Sequence, residues 1–220
     1  MFDQTMLDDV PLSMGGGAPV VSAPRRRVFP IAKRSFDIIA CLLLLPPTLC
    51  VALCLLALNP FHNKGRLLYT QTRMGRDCKP FTALKFRSMT DAPKVQRSAN
   101  DPLEADRITP LGAFLRKSRI DELPQTLNVL KGDMSLIGPR PDYYDHAVEF
   151  LEQVPGYRER HSVRPGISGL AQTELGYIEG VEATRRKVRA DLYYIANAGF
   201  RLDAWIFLRT LAVVARRAGA

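Results

Sequence analysis

The stretch Ile38-Ile39-Ala40-Cys41-Leu42-Leu43-Leu44-Leu45-Pro46-Pro47-Thr48-Leu49-Cys50-Val51-Ala52-Leu53-Cys54-Leu55-Leu56-Ala57-Leu58 decides the fold. At about 1.5 Å of rise per residue, a straight helix of this length would just cross a hydrocarbon core of about 30 Å. Pro46 and Pro47 stand at its middle. Each removes a backbone donor and crowds the preceding turn, and Pro47 pushes Pro46 away from helical dihedrals, so two short arms meeting at a bend are expected. The flanks agree. Arg25, Arg26, Arg27, Lys33 and Arg34 precede the run, and Lys64, Arg66, Arg73, Arg76 and Lys79 follow it. Lysine and arginine favour the cytoplasmic side of a membrane, so a segment basic at both ends is best satisfied by entering and leaving through one face. The reading is a re-entrant hairpin in one leaflet. A kinked single span, with its freed backbone groups re-satisfied by neighbours, is the alternative.

The chain has 220 residues, 46% of them hydrophobic. Setting aside the membrane segment and a loose tail leaves roughly 150 residues for one soluble domain. Residues 1–24 carry Asp3, Asp8 and Asp9, no basic residue, and Gly15-Gly16-Gly17. They are expected to form a disordered leader, and the basic cluster and apolar run begin too late for a secretory signal. The net charge of +9 points to a polyanionic partner, and among nucleic acid, anionic headgroups and phosphorylated substrates a membrane segment disfavours nucleic acid. Cys41, Cys50 and Cys54 lie inside the apolar run and Cys78 stands alone. That pattern is neither a metal site nor a disulfide framework, and it suits a reducing compartment.

Beyond the membrane segment, Leu67–Gln71 and Phe81–Phe86 are β-friendly runs around the turn-like Met74-Gly75-Arg76-Asp77-Cys78, which predicts a short β-hairpin. The polar, proline-punctuated segment from Asp91 to Asp106 reads as an irregular excursion. A short amphipathic helix is predicted over Thr109–Lys117, with basic residues where the helix dipole favours them. Leu123–Gly132 has proline in the first turn and a terminal glycine, the marks of a helix with defined ends. Further helices are predicted over about Tyr143–Val154, Pro155–Arg160 and Gly180–Ala196, with a loop at Arg164–Gly169. The last segment, Leu202–Arg217, is too short to span, and reads either as an amphipathic core helix or as an interfacial one.

Asp121 and Glu122 are adjacent carboxylates at the start of a predicted helix, with Arg116, Lys117 and Arg119 just upstream and Arg140 in the following loop. An ionised carboxylate among cations can attack a phosphorus whose negative oxygens are screened by guanidinium groups, a lysine or Mg²⁺. Helix capping beside a solvated basic face explains the same residues and stays open at this point. Lys85 and Arg87 alternate around Phe86, so both would lie on one strand face and could meet one anion; a surface strand with two solvated charges is the competing reading. His161 has no second histidine or cysteine at ligand spacing and reads as structural.

Five motifs resemble, in order, those of the bacterial sugar transferases, the monotopic phosphoglycosyl transferases. They are Lys33-Arg34-Ser35-Phe36-Asp37; Lys85-Phe86-Arg87-Ser88-Met89; Arg116-Lys117-Ser118-Arg119-Ile120-Asp121-Glu122-Leu123-Pro124-Gln125; Lys131-Gly132-Asp133-Met134-Ser135-Leu136-Ile137-Gly138-Pro139-Arg140-Pro141; and Arg164-Pro165-Gly166-Ile167-Ser168-Gly169-Leu170-Ala171-Gln172. The resemblance runs from about Ala32 to the C-terminus. It implies transfer of a sugar 1-phosphate from a UDP-sugar to undecaprenyl phosphate with release of UMP, Mg²⁺ as cofactor, and a ping-pong mechanism. By position Asp121 matches the nucleophile and Glu122 its dyad partner, assisting metal or proton handling, with both carboxylates the expected positions for Mg²⁺. Arg116 and Arg140 match phosphate-contacting positions, and Lys85, Arg87 and Arg164 are assigned to the same site. Lys33 and Arg34 match the basic pair at the hairpin entrance, where a lipid phosphate would be met, and Pro46 and Pro47 mark the turn in the membrane. The chain departs from the family pattern at Gly176-Tyr177, where many relatives carry Gly-Arg, and at Cys78, where glycine is usual.

The expected fold is α+β and mostly helical: a disordered leader (1–24), a basic-flanked re-entrant hairpin (25–66), and a cytosolic catalytic domain (67–220) with a short β-hairpin and interfacial amphipathic helices. The expected location is the cytoplasmic face of the inner membrane, in the family's minimal catalytic form. The competing function is a non-catalytic, membrane-anchored basic scaffold that binds anionic lipid or polysaccharide-assembly partners. The sugar is not legible, and a homodimer is left open.

Overall fold

A computed structural model describes residues 28–63, 65–90, 105–175 and 181–215. The expected leader, most of the polar excursion after Asp91 and the Gly176-Tyr177 departure lie outside these residues.

The apolar run forms one 35-residue helix, α1 (Val28–His62), which continues through Pro46, Pro47 and Pro60. The two arms expected to meet at a bend thus form one continuous element, with no break in the helix at the prolines. Its packing accounts for the continuity. Asp37, Cys41, Thr48, Leu55 and Asn59 are buried, a stripe at heptad-like spacing that stays in phase across the proline pair. Cys41 packs on Val129 and Met134, and Leu55 on Phe86 and Leu115, so residues before and after the prolines dock on the same domain. Beside the missing proline donors, the Thr48 hydroxyl donates to the Leu44 carbonyl at 2.7 Å. Away from the domain, Ile39, Leu42, Leu43, Leu49, Leu53 and Leu56 are exposed. The helix reaches a mean hydropathy of 2.6 and is long and apolar enough to cross a membrane.

Polar groups fix both ends of α1. Near its start Asp37 accepts from the Ser135 hydroxyl (2.8 Å) and the Leu136 amide (3.1 Å). Arg34 donates to the carbonyls of Val129 (2.6 Å) and Leu130 (3.0 Å). Just past its end, Asn63 donates to the Arg87 carbonyl at 2.6 Å.

Strands β1 (Leu68–Met74) and β2 (Pro80–Phe86) pair antiparallel in the predicted hairpin, from Leu68↔Phe86 to Met74↔Pro80. Its turn places Asp77 (φ 57°) and Cys78 (φ 59°) in the left-handed region, the reason glycine suits the position that Cys78 holds here. Helix α2 (Pro110–Lys117) begins as predicted, the Thr109 hydroxyl capping the Gly112 amide. Helix α3 (Gln125–Lys131) ends on Gly132, whose φ of 97° is left-handed.

Two short strands went unpredicted, β3 (Ser135–Ile137) and β4 (Gly166–Ser168), which pair in parallel. Helix α4 (Tyr144–Gln153) matches its prediction, whereas the helix expected at Pro155–Arg160 is a 3₁₀ turn over Glu159–Ser162. Helix α5 (Leu170–Leu175) was also unpredicted; α6 (Val181–Asn197) and α7 (Phe200–Ala215) follow as expected. Met74, Ala147, Phe150, Tyr157 and Val188 make one core. Ile137, Leu170, Tyr194 and Ile206 make a second, which seats α7. The other side of α7 exposes Phe200, Phe207, Leu208 and Leu211, which favours the interfacial reading of that helix.

Gly112 packs against the chain at Ser88, where an added Cβ would stand 1.9 Å from the Ser88 carbonyl oxygen. Gly112→Ala is therefore expected to destabilise the domain by about 1–3 kcal/mol, a fall in thermal midpoint of roughly 3–10 °C in detergent. An unchanged midpoint would refute this contact.

Candidate active site

Asp121 and Glu122 sit on a 3₁₀ turn, Ile120–Glu122, just ahead of α3. The turn is positioned by α3, whose Asn128 side chain behaves like a strand partner for β2. Its amide nitrogen donates to the Thr82 carbonyl at 2.7 Å, and its oxygen accepts from the Leu84 amide at 3.0 Å. That pairing sets α3 on the edge of β2 and brings Lys85 to Glu122, Nζ to Oε1 at 2.8 Å.

Arg140 arrives from the other side, carried by the seam between β3 and β4. Ser135, Gly138 and Gly166 donate their amides to the carbonyls of Pro165, Ser168 and Pro139, each at 2.9 Å. A Cβ on Gly166 would stand 2.1 Å from the Gly138 nitrogen, so the two glycine motifs meet backbone to backbone. From this seam the Arg140 guanidinium grips both oxygens of Glu122, Nη1 on Oε2 at 3.2 Å and Nη2 on Oε1. Nη1 also donates to the Ile167 carbonyl at 3.1 Å.

Behind Arg140 lies an ionic cluster. Buried Arg160 donates to the Arg140 carbonyl at 2.7 Å, to Asp191 at 2.8 Å and to Asp142. Asp142 also accepts from Lys187 and, at 2.8 Å, from the Tyr157 hydroxyl. Arg73 anchors the same loop through the Pro141 carbonyl. Through the bond from Arg160 to the Arg140 carbonyl, the cluster fixes the direction from which Arg140 reaches the acidic pair.

The two carboxylates differ sharply although both are 5% exposed. Burial alone would push Glu122 up, but Arg140 and Lys85 outweigh it and hold Glu122 well below the usual carboxylate range. Burial does push Asp121 up, opposed by Lys85 and assisted by the charge on Glu122. Asp121 Oδ1 is buried and has no hydrogen-bond partner. A cationic cluster therefore surrounds one carboxylate that is saturated and one that keeps an open oxygen.

The residues expected at the site divide. Asp121, Glu122, Lys85 and Arg140 converge, and the charge of Arg116 acts on Asp121 while its Nη1 lies 3.8 Å from Met89 Sδ. Arg87 lies just past β2 and turns its Nε to the Arg66 carbonyl at 2.7 Å. Arg164 donates to the Gly132 carbonyl at 2.9 Å, so with Arg34 it closes the C-terminal end of α3 away from the dyad. Lys33 pairs with Asp203 at 2.6 Å, and Pro46 and Pro47 face away from the domain. His161 is structural as read: its Nδ1 faces the Gly75 carbonyl at 3.2 Å, and burial, then Arg160, lower it to about 3.

Sequence reasoning missed Arg119 as a site residue. Its left-handed backbone, φ 58°, turns the guanidinium toward Glu122 at 3.8 Å; a non-glycine residue at positive φ leaves no mark in sequence. It also missed Asn128 and the Asp142–Arg160–Asp191 cluster, whose partners are joined only by tertiary structure.

For Mg²⁺ the fit falls on Asp121, whose open oxygen suits a hard cation shared with phosphate oxygens. Both oxygens of Glu122 are already engaged by Arg140 and Lys85. Among the described residues no group of three or more His, Cys, Asp or Glu side chains is placed to hold a metal unaided.

Burial lowers Lys85 from 10.5 to about 8, against the favourable pull of Glu122. The unfolded chain then binds more protons than the native one between those values, so this lysine's contribution to stability rises with pH there. The stability of the wild type relative to Lys85→Met is expected to increase from about pH 8 to about pH 10.5 in denaturant titrations. A decrease across that window would contradict the burial of a charged lysine.

The chain matches the family described as Bacterial sugar transferase over residues 28–217. It is 40% identical over 194 residues to a UDP-N-acetylgalactosamine-undecaprenyl-phosphate N-acetylgalactosaminephosphotransferase of Aeromonas hydrophila, a match covering 88% of this chain and 46% of that protein. It is 38% identical over 207 residues to the UDP-glucose:undecaprenyl-phosphate glucose-1-phosphate transferase of Escherichia coli K12, covering 89% of this chain and 43% of the relative. It is also 39% identical over 194 residues to the exopolysaccharide production protein PSS of Rhizobium leguminosarum bv. phaseoli, here covering 82% of this chain and 94% of the relative. The chain thus spans less than half the length of the first two relatives and nearly all of the third. With five motifs in order, four of their charged residues converging on one turn and the family match extending over most of its length, the chain belongs to the bacterial sugar transferase family.

Proposed function

We propose that the protein transfers a sugar 1-phosphate from a UDP-sugar to undecaprenyl phosphate, releasing UMP, with Asp121 as covalent nucleophile. The carrying observation is the inequality of the acidic pair: Glu122 is clasped by Arg140 and Lys85, while Asp121 keeps a buried oxygen without a partner. A carboxylate whose oxygens already accept charge-assisted bonds has little electron density to offer, so attack falls to its neighbour. Burying an unpaired anion is costly for a mere scaffold. The names of the relatives, which specify UDP-sugars and undecaprenyl phosphate, support the same substrates.

In the first step an Asp121 oxygen attacks the sugar-bearing phosphorus. The phosphorus–oxygen bond to UMP breaks, and UMP leaves with the electron pair. Lys85 faces the phosphate oxygens with the donors that Glu122 leaves unused, and the raised proton affinity of Asp121 makes its anion the stronger nucleophile. In the second step a phosphate oxygen of undecaprenyl phosphate attacks the same phosphorus. The bond to Asp121 breaks and the carboxylate is restored. Asp121 is the residue that would hold Mg²⁺, which would supply charge neutralisation. Splitting the exchange lets the water-soluble product depart before the lipid arrives.

We place α1 in one leaflet at the cytoplasmic face of the inner membrane, its exposed leucines in lipid. Support comes from both ends of α1, since Arg34 and Asp37 at the start and Asn63 past the end all bond to the same domain. A rod carrying one end to the far surface would lose one set of these bonds.

Asp121→Asn is expected to lower UMP release by at least about 10³-fold while membrane binding persists. Incubation of the wild type with donor alone should add one sugar phosphate to the peptide containing Asp121, seen by mass spectrometry. Normal turnover in the variant would refute the covalent role, and the absence of UMP release from a Mg²⁺-supplied panel of UDP-sugars would refute the function.

A further inference from the structure

A pocket opens beside the acidic pair, walled by α1 through Leu44 and by α7 through Thr210, Val213 and Val214, with Arg119 and Glu122 at its polar end. Its shape of chemistry is lopsided. The walls from α1 and α7 are mainly apolar and belong to the two helices that carry the exposed leucines and phenylalanines of the lipid-facing surface. The polar end lies on the turn that carries Asp121.

Arg119 is the least committed cation there. It stands 3.8 Å from Glu122 and is 29% exposed, whereas Lys85 makes its bond to the same carboxylate at 2.8 Å and Arg140 holds it through both nitrogens. A guanidinium with idle donors in a pocket with mainly apolar walls suits an amphiphile with an anionic head and a hydrocarbon tail. A nucleotide offers no comparable tail.

We infer that this pocket receives the lipid acceptor, with the isoprene units nearest the phosphate lying between Leu44 and Val214, and with Arg119 binding the phosphate. The assignment rests on the transfer reaction proposed above. It gives the lipid a path from the α1–α7 surface to the turn of Asp121, where its phosphate oxygen attacks the phosphorus and the Asp121–phosphorus bond breaks. The sugar nucleotide would then approach from the side of Lys85, so the two substrates need not share one entrance.

The test uses the full chain in detergent micelles with two variants, Arg119→Ala and Val214→Trp. Each is expected to raise the ratio of the KM for undecaprenyl phosphate to the KM for the UDP-sugar by about tenfold or more. An equal rise in both constants, or a rise confined to the donor, would overturn the assignment. Binding without turnover gives a second measure. Farnesyl phosphate should raise the thermal midpoint of the wild type more than equal concentrations of inorganic phosphate or farnesol do. Val214→Trp should remove that excess, and Arg119→Ala should reduce the effect of farnesyl phosphate to that of farnesol. Equal stabilisation of wild type and both variants by farnesyl phosphate would refute the site. If Val214→Trp does not fold, Val214→Phe carries the same comparison. A wild type that releases no UMP but shows the farnesyl phosphate pattern would sink the catalytic reading and leave the lipid pocket standing.

Discussion

Glu122 is a buried anion that three separately folded pieces of the chain must neutralise together. Lys85 comes from β2, Arg119 from the turn before the dyad and Arg140 from the β3–β4 seam. A carboxylate in such surroundings is tolerable only with its charge fully matched, so the position of each cation is set by the same electrostatic requirement. The constraint also explains why Asp121, one residue earlier, remains open. The available donors are aimed at its neighbour, and the resulting field acts on Asp121 without occupying it.

Local signals carried much of the fold. Thr109 capping α2, Gly132 closing α3 and the alternation through Phe81–Phe86 are short-range effects, and each appears in the structure where its chemistry predicts. The pairing of Asp121 with Glu122 was visible for the same reason. What failed to show was the work done by residues whose partners are far away in sequence. Asn128 reads as an ordinary helical asparagine until β2 lies beside it. Arg34 and Arg164 read as phosphate ligands because charge alone cannot reveal that the end of α3 lies within their reach. Arg160 and Asp142 carry no local signal of their pairing, and only the fold brings them against each other.

The proline pair shows the converse. Pro46 and Pro47 locally favour a break, yet the element runs on as one helix, because its buried stripe is anchored on both sides of them. Packing along a whole face outweighs the loss of two backbone donors. The domain thus braces the apolar helix on both sides of its prolines.

The pairing of Lys33 with Asp203, reinforced by the Tyr194 hydroxyl on the same carboxylate, joins positions 170 residues apart. At ribosomal speeds of about 5–20 residues per second, roughly 10–35 s separate the emergence of the lysine from that of its partner. Until Asp203 has emerged, this bond at the start of α1 cannot form. The hold on α1 is therefore completed only when α7 seats beside it, so an element made early depends on one made late.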